Sequence, residues 1–473
     1  MKRLLWTALG CLGLASVGMA ADGRVPSANG NANNSGSMLS HRNETGRLDR
    51  TEMRVSFDRL ADGVRSNDEH EQSSARRIFS AMGFSPSTPD AENYVLGTPQ
   101  VPTATLQVGD DKTFTVLARN LSKERKYVQS VTLNGKPMQG ITLTRDEIRN
   151  GGVLIFEMVA KGEYANPVIP VSCADPTVWD GGNGYYYLFA TGDIKHQTMW
   201  RSRDLVHWED TGKRPYSDAE AAKLCALKGS RGKFWAPEMV RVGDHWNLYF
   251  SLQSDNLLVM SSKKPTSGFA FRKVLVSSEN GGMKNDNIDA CVRKDANGQL
   301  WMFFGSTCRL CRVKLSADGL SLAEGAVIEP VAGKTDVEDR SRARVFEGAY
   351  LHRRGGYWYL LVSAGGFWNN TYCLKVGRCR TLNGEFLDKE GRRMRDGFAS
   401  DLLHGNDLFY GPGHNGNIIT DRNGKTWIFF HSHWKETNPK ARVLCLDELR
   451  WGKDGWPYFE NGTVATHGPV PRL

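Results

Sequence analysis

The sequence predicts an all-β protein whose main part is a five-bladed β-propeller, and three observations lead to this fold class. Aromatic residues make up 10% of the chain and glycine occurs 50 times, which is typical of turn-rich β proteins. One hairpin pattern, a strand, a Gly/Asp/Asn turn and an aromatic strand, occurs five times after residue 173. The copies begin about fifty to seventy residues apart, which leaves room for four strands in each.

The repeated hairpin distinguishes a propeller from a large β-sandwich, because a sandwich does not repeat one hairpin signature five times. Three copies are close to one another, and those from Pro237 and His414 are looser. The copies are DPTVWDGGNGYYYLFA from Asp175, PEMVRVGDHWNLYFS from Pro237, DACVRKDANGQLWMFFG from Asp289, EGAYLHRRGGYWYLLVS from Glu347 and HNGNIITDRNGKTWIFFHS from His414. We therefore assign residues 163–473 to the propeller.

Residues 1–20 have the pattern of an export signal: a basic start, an apolar run and a small-residue cleavage site. The run is too short to span a membrane, and no later segment approaches the ~20 apolar residues that a spanning helix needs. We expect a periplasmic or secreted protein without a membrane span. The alternative is a lipid anchor at Cys11, whose context ALGC matches a lipoprotein cleavage site weakly.

The stretch between the signal and the propeller divides in two. Residues 21–45 are rich in Gly, Asn and Ser and predict a flexible linker. Residues 46–162 predict a smaller accessory unit of mixed helix and strand. The sequence pattern predicts helix from about residue 46 to 84, with a helix end at Gly83. Short strand-like runs follow, with a hairpin turn at Asn134-Gly135.

Charge and cysteine content exclude some function classes. The net charge is +9, but the basic residues are scattered and form no nucleic-acid motif, so we expect a solvated basic surface and no nucleic-acid partner. Of nine cysteines, Cys11 lies in the signal, and the others are free to form disulfides after export. Cys308 and Cys311 have no second pair at zinc-finger spacing, which favours a disulfide or buried thiols.

Three acids occupy the same place in three hairpins. Each lies nine residues before a turn glycine, at the start of the first strand: Asp175 before Gly184, Asp289 before Gly298, and Glu347 before Gly356. Because the first strand of a blade is innermost, the acids should converge on the central channel. One such acid would be read as a solvated strand end, but three in register favour a site. A metal site is the alternative, although its ligands more often come from one loop.

Crowded carboxylates repel one another, and this raises the pKa of at least one of them. A protonated acid beside an ionised base is the equipment for hydrolysing a glycosidic bond. The residues from about 170 to 460 resemble glycoside hydrolase family 43, the arabinanase, arabinofuranosidase and xylosidase family of five-bladed propellers. The motifs that carry this resemblance are ADPTV, FWAPEM, NIDACV, FEGAYLHRRGGYWYLLVS, GPGHNG and RWGKDGWPY.

The resemblance implies a role for each acid. Asp175 would be the general base that activates water, Glu347 the general acid, and Asp289 the third acid that tunes and orients it. The family inverts the anomeric centre, which requires carboxyl groups about 6.5–9.5 Å apart. His414, in GPGHNG, would help to hold a hydrated calcium ion in the channel, although alone it would as often be a structural residue. No organic cofactor is implied.

Two further residues are candidate substrate contacts. Trp235 is either a sugar-stacking platform or a core residue. Glu238 stands where the family often has Asp, and this departure puts its contact with substrate in doubt.

The accessory unit resembles the C-terminal end of glycoside hydrolase family 92, the calcium-dependent α-mannosidases, through DGVRSNDEHEQSSARRIFSAMGF, ENYVLGTP and NLSKERKYVQSVTLNGKPM. The family's base segment reads SNDEHEQSS here: it keeps Asp68, has Glu69 as the next acid and lacks a glycine on each side. The part that carries the family's general acid has no counterpart, so we expect a non-catalytic unit.

The sequence therefore predicts an exported inverting glycosidase that cleaves α-L-arabinofuranosyl linkages, with α-1,5-arabinan as the leading substrate and endo action. GPGHNG and GRCRTLNGEFLDKEGRRM favour arabinan by their resemblance to the arabinanase-like branch. The alternatives are an exo-acting arabinofuranosidase, β-xylosidase or galactofuranosidase, and a sugar-binding propeller without turnover. We expect a monomer whose partner is a furanoside-containing polysaccharide, such as one of the plant cell wall.

Overall fold

The computed structural model describes residues 37–42, 48–88, 91–109, 111–138, 140–283, 286–306, 309–333, 346–435 and 441–473. The predicted signal peptide, Cys11, Cys308 and most of the predicted linker lie outside the described residues. Within these ranges, no helix has the length and apolar composition that a bilayer crossing requires.

The N-terminal unit contains two sheets and three helices. Its elements are β1 (Ser37–Arg42), β2 (Leu48–Ser56), α1 (Phe57–Arg65), α2 (Glu69–Met82), β3 (Phe84–Pro86), β4 (Asn93–Leu96), β5 (Thr103–Gln107), β6 (Thr113–Arg119), β7 (Tyr127–Leu133), β8 (Lys136–Pro137), β9 (Thr142–Thr144), α3 (Arg145–Arg149) and β10 (Gly152–Val159). A seven-stranded sheet runs β1-β2-β5-β6-β10-β7-β8, and a three-stranded sheet runs β3-β4-β9. Phe57 and Phe79 of the helices pack with Tyr94 of β4 in a core of its own.

Helix α2 follows the predicted pattern. It buries Ala75, Phe79 and Met82 on one face, and Gly83 ends it in the left-handed conformation (φ 94°) that favours glycine. At its start, the Asp68 carboxylate accepts two backbone N–H groups of the first turn. The hairpin at Asn134-Gly135 is also present, between β7 and β8.

Two predictions for the start of this unit are wrong. Residues Ser37–Arg42 form strand β1 although they fall in the predicted linker, and Leu48–Ser56 form strand β2 where the text reads as helical. Strand β2 pairs in parallel with β5 and antiparallel with β1. Pairing with a sheet formed by later residues thus overrides the weak local preference of a polar sequence.

The rest of the described chain forms the propeller. Its elements are β11 (Glu163–Ala165), β12 (Thr177–Asp180), β13 (Tyr186–Phe189), β14 (Gly192–Asp193), β15 (Trp200–Ser202), β16 (Glu209–Asp210), α4 (Asp218–Ala226), β17 (Lys233–Val242), β18 (His245–Leu252), β19 (Asn256–Ser262), β20 (Ala270–Val276), β21 (Cys291–Lys294), β22 (Leu300–Ser306), β23 (Arg309–Lys314), β24 (Glu329–Ala332), β25 (Phe346–Arg354), β26 (Tyr357–Ala364), β27 (Cys373–Cys379), β28 (Ser400–Leu403), β29 (Phe409–Gly413), β30 (Ile418–Thr420), β31 (Thr426–Trp434), β32 (Arg442–Trp451), β33 (Pro457–Tyr458) and β34 (His467–Pro469), with 3₁₀ turns at Met394–Asp396 and Glu460–Gly462.

Five sheets make the five blades and confirm the predicted fold class. Blade 1 contains β12, β13, β15 and β16; blade 2 contains β14 and β17–β20; blade 3 contains β21–β24; blade 4 contains β25–β28; and blade 5 contains β29–β33. The five predicted hairpins are β12–β13, β17–β18, β21–β22, β25–β26 and β30–β31. Each copy of the repeat therefore supplies the inner half of one blade.

Apolar side chains between neighbouring blades form the core. Phe189 of blade 1 stacks on Phe234 of blade 2, with ring centroids 5.0 Å apart. Trp208 of blade 1 meets Phe429 of blade 5 edge to face at 5.8 Å, across the point where the ring closes. The seven cysteines within the described ranges are all free thiols. Packing between blades thus holds the ring together in this part of the chain.

The two ends of the propeller are joined. Strand β11 pairs antiparallel with β34, and Ile169 bridges to Leu444 of blade 5. The N-terminal unit packs beside this junction: the Arg119 guanidinium lies 4.5 Å from the ring centroid of Trp434, and Gln129 exchanges two hydrogen bonds with the backbone of Ala165.

Candidate active site

The backbone turns sharply near the start of the inner hairpin of every blade. A residue with positive φ lies there in each case: Asp175 (53°), Ala236 (45°), Asp289 (60°), Gly348 (60°) and His414 (43°). For a residue other than glycine this conformation costs about 1–3 kcal/mol, and it persists where the surrounding structure enforces it. These turns bring four polar side chains close enough to interact with one another: Asp175, Asp289, Glu347 and His414.

Asp175 is buried and held by hydrogen bonds from two sides. Thr191 Oγ1 donates to its Oδ2 at 2.6 Å, and Arg442 donates to its Oδ1 at 2.9 Å. Burial alone would raise the pKa of Asp175, but Arg442 and then His414 hold it well below its usual range. Asp175 is therefore a carboxylate at neutral pH, as a general base must be.

His431 is a fully buried residue of β31 and contacts the backbone of Asp175. Its Nδ1 accepts the backbone N–H of Asp175 at 3.2 Å, and its ring stacks on Tyr372 with centroids 5.7 Å apart. Burial and the neighbouring Arg442 lower the pKa of His431 to about 3, so the imidazole is neutral. The neutral ring thus helps to fix the backbone of Asp175 through Nδ1.

Glu347 is half-buried and is the second residue of β25, and each of its oxygens accepts one hydrogen bond. Tyr372 Oη donates to Oε1 at 2.5 Å, and Ser306 Oγ donates to Oε2 at 2.9 Å. Burial and the charge of Glu347 hold the pKa of Tyr372 well above its usual range, so the phenol keeps its proton. Two neutral donors thus orient this carboxyl group, which is more exposed than Asp175 and Asp289.

Asp289 interacts electrostatically with both of the other acids. Its Oδ2 accepts the backbone N–H of Gly348 at 3.0 Å. Burial, reinforced by the charges of Glu347 and Asp175 and opposed by His414, raises the pKa of Asp289 to about 7. Gly348 has a φ of 60°, and a Cβ there would lie 3.1 Å from Cγ of His414, so a side chain would strain the backbone and displace this ring.

The raised pKa of Asp289 predicts a pH-dependent stability effect of Asp289→Asn. Between about pH 4 and pH 7 the unfolded chain loses this proton while the folded protein keeps it, so the acid's contribution to stability falls as pH rises. Asparagine does not ionise and can still accept the Gly348 N–H. We expect the melting temperature of the variant, relative to the unaltered protein, to rise by a few degrees between about pH 5 and pH 8.

Thermal unfolding followed by circular dichroism measures this difference. Asp407→Asn is the control, because Asp407 is exposed and its variant should follow the unaltered protein at every pH. A difference for Asp289→Asn that stays constant or falls as pH rises would contradict the raised pKa.

His414 connects two of the acids. Its Nδ1 lies 3.3 Å from Asp175 Oδ1 and 3.8 Å from Asp289 Oδ2, and its backbone N–H donates to Ser363 Oγ at 2.6 Å. His414 does not belong to a cluster of protein ligands that could enclose a calcium ion. Among the described residues, the one close group of three or more potential ligands is Cys373, Asp401 and His404, which does not include His414. The calcium ion stays a prediction, and no step below depends on it.

Trp235 lies close to the base. It is half-buried at the start of β17, and the N–H of the next residue, Ala236, donates to Thr191 Oγ1 at 2.8 Å. Because Thr191 in turn donates to Asp175, the backbone that follows Trp235 lies near the base. Its stacking against a sugar stays a prediction.

Glu238 takes part in a buried ion pair. It hydrogen-bonds to Arg293 of blade 3, whose guanidinium lies 4.6 Å from the ring centroid of Tyr350 of blade 4. Burial raises the pKa of Glu238 against the opposing charge of Arg293. The carboxylate is thus committed to joining blades 2, 3 and 4, an arrangement that favours a structural role over the predicted contact with substrate.

Comparison with known proteins decides the family. Residues 164–457, more than half of the chain, match the model of glycosyl hydrolases family 43. The chain belongs to this family. Residues 37–160 match the model of the glycosyl hydrolase family 92 catalytic domain. Both resemblances predicted from the motifs are confirmed.

Relatives of this family 43 glycoside hydrolase are named as arabinofuranosidases and arabinanases. The extracellular exo-α-(1→5)-L-arabinofuranosidase of Cellvibrio japonicus is 28% identical over 315 residues, covering 63% of this chain and 89% of that protein. The extracellular endo-α-(1→5)-L-arabinanase 1 of Bacillus subtilis is 27% identical over 302 residues, covering 60% and 87%. The structure of Cellvibrio cellulosa α-L-arabinanase complexed with arabinohexaose matches with a TM-score of 0.53 at 26% identity, covering 62% of this chain and 96% of that one.

Five polar residues surround the acids in this family 43 enzyme and are not among the site residues predicted from sequence. They are Thr191, Ser306, Tyr372, His431 and Arg442. A signal existed for one of them: His431 directly follows the apolar residues IFF in a predicted aromatic strand, where a histidine is uncommon unless it serves a site. The others are ordinary strand or loop residues in the sequence.

Proposed function

We propose that the protein is an exported inverting glycosidase that cleaves α-L-arabinofuranosyl linkages, with α-1,5-arabinan as its leading substrate. The observation that carries this proposal is the contrast between two acids on different blades. Asp175 is held as a carboxylate by Arg442, whereas the half-buried Glu347 is bound by the neutral donors Tyr372 and Ser306. The names of the relatives support arabinan as the substrate.

In the proposed mechanism Asp175 takes a proton from a water molecule as its oxygen attacks the anomeric carbon. Glu347 gives its proton to the glycosidic oxygen as the C–O bond breaks. The new C–O bond forms on the face opposite to the leaving group, so the anomeric configuration inverts. Exchange of protons with solvent then returns Asp175 to the ionised form and Glu347 to the protonated form.

Three residues assist without touching the reacting atoms. Arg442 and Thr191 position Asp175, and Asp289 adds negative charge beside the acid when it ionises. Because Asp289 has a pKa of about 7, we propose that its ionisation state changes within the working pH range.

The relatives include an exo-acting and an endo-acting enzyme, so exo action on the same linkage is the second candidate. Both of these relatives are extracellular by name, which supports export of this protein to the periplasm or the medium. A hydrated calcium ion near His414 is part of the proposal, in a supporting role.

A product assay tests the proposed function. We expect debranched arabinan to release short oligomers if action is endo and arabinose alone if it is exo, with slower release from arabinoxylan and nitrophenyl β-D-xylopyranoside. Proton NMR of the first product should show the inverted anomer. Retained anomeric configuration would contradict the roles of the acids. Binding of arabino-oligosaccharides without any release would instead favour a sugar-binding propeller.

A further inference from the structure

Two adjacent aromatic side chains are exposed in the loop 365–372, which joins β26 to β27 in blade 4. Phe367 is 41% exposed and Trp368 is 68% exposed. Their rings meet edge to face, with centroids 5.1 Å apart and an interplanar angle of 84°. Single exposed apolar residues are common, but a neighbouring pair of large aromatic rings marks a surface that is covered when a ligand binds.

The aromatic pair lies at the mouth of the site that holds the acids. Tyr372, at the end of the loop, donates to Glu347. On the other side, the Arg442 guanidinium lies 5.0 Å from the ring centroid of Phe367 and donates to Asp175. The loop thus contacts Glu347 through its own Tyr372, and one side chain, that of Arg442, separates it from Asp175.

Hydrogen bonds and ring packing hold the conformation of loop 365–372. His433 Nε2 donates to the Phe367 carbonyl at 2.8 Å, and the Asn369 N–H donates to the Gly366 carbonyl at 3.0 Å. The Trp368 ring packs over Gly366, where an added Cβ would lie 3.0 Å from the indole. A ligand that covers Trp368 therefore meets a ring already fixed in place and does not have to order it.

We propose that Trp368, supported by Phe367, is a stacking platform for an arabinofuranosyl ring of the substrate at a subsite beyond the bond that is cleaved. This inference rests on the proposed function. One face of a furanose ring presents C–H groups that pack on an indole, while its hydroxyl groups point outward. The exposed amide of Asn370 lies two residues along the loop, where it can bond to such a hydroxyl.

A sugar fits this surface better than a protein partner. A stable protein interface buries about 1,200–2,000 Å² in total, which two rings cannot supply. The platform is continuous with the acids, and a polysaccharide substrate extends from the cleaved bond across the neighbouring surface. The occupant is thus another part of the same chain that the acids cut.

Replacement of Trp368 by alanine tests the platform. We expect the ratio of kcat/KM for arabinohexaose to kcat/KM for 4-nitrophenyl α-L-arabinofuranoside to fall about tenfold, because the short substrate does not reach the platform. Trp368→Phe should restore part of the ratio. Tyr458→Ala is the matched control, because Tyr458 is an exposed aromatic residue on the last strand of blade 5, and the ratio should not change.

Binding provides a readout that does not depend on turnover. Calorimetry with arabinohexaose should give about tenfold weaker binding for the Glu347→Gln/Trp368→Ala protein than for Glu347→Gln. Equal affinities, or an unchanged kinetic ratio, would overturn the platform. Failure of the unaltered protein to cleave any arabinan would overturn the proposed function instead, so the two failures are distinguishable.

Discussion

Replacement of Glu347 by glutamine lowers kcat for arabinan by about three orders of magnitude, the contribution of a positioned general acid. Glutamine keeps the shape: its oxygen can accept from Tyr372 and its NH2 group can donate to Ser306 Oγ, so the fold should survive. It has no acidic proton to give to the leaving oxygen. The loss should be far smaller with 4-nitrophenyl α-L-arabinofuranoside, because nitrophenolate leaves without protonation. Steady-state kinetics on the two substrates measure the contrast.

The matched control for this variant is Glu324→Gln, which removes an exposed carboxylate from blade 3 and should leave both rates unchanged. Circular dichroism and the melting temperature establish that the Glu347 variant is folded. If its activity on arabinan stayed within a few-fold of normal, Glu347 could not be the acid. Equal losses on both substrates would point to a different role for this residue.

Replacement of Asp175 by asparagine lowers kcat by a similar factor, about a thousandfold, but with a different signature. Without a base the attacking water is not activated, and this step is needed whatever the leaving group is. We therefore expect losses of the same size on arabinan and on the nitrophenyl substrate. The asparagine oxygen can still accept from Arg442, while its NH2 group would face Thr191 Oγ1, which can accept a hydrogen bond, so the local geometry should be kept.

Asp180→Asn is the control for the base. Asp180 is exposed at the end of β12, the strand that begins two residues after Asp175. Its Oδ1 accepts the Gly182 N–H, a bond that an amide oxygen also makes. This variant should keep full activity. A near-normal rate for Asp175→Asn on either substrate would remove the base from the proposed mechanism.

The sequence was sufficient to predict the blades and the positions of the acids. Turn glycines such as Gly184 and Gly298 align the repeats, and this alignment alone put Asp175 and Asp289 at equivalent positions of their hairpins. That inference worked because blades are local units: each hairpin pairs residues close in the chain. Local patterns were misleading for β2, whose partner β5 follows only after two helices.

The surroundings of the acids could not be predicted in the same way. Arg442 is 267 positions from Asp175 in sequence, and His431 is 256 positions from it. They meet because the ring closes and brings blade 5 against blade 1, a consequence of tertiary structure that no local pattern contains. The positive φ at Ala236 was equally hidden, because alanine gives no signal for that conformation.

The junction of the accessory unit and the propeller limits how the enzyme searches a polysaccharide. Residues 160–162 alone separate β10 from β11, and Gln129 and Arg119 fasten the unit to Ala165 and Trp434. A binding module on a long flexible tether samples a large volume around its enzyme. Here the short link and these contacts leave less room for such sampling, so a polysaccharide that touched both units would reach the channel from a narrower range of directions.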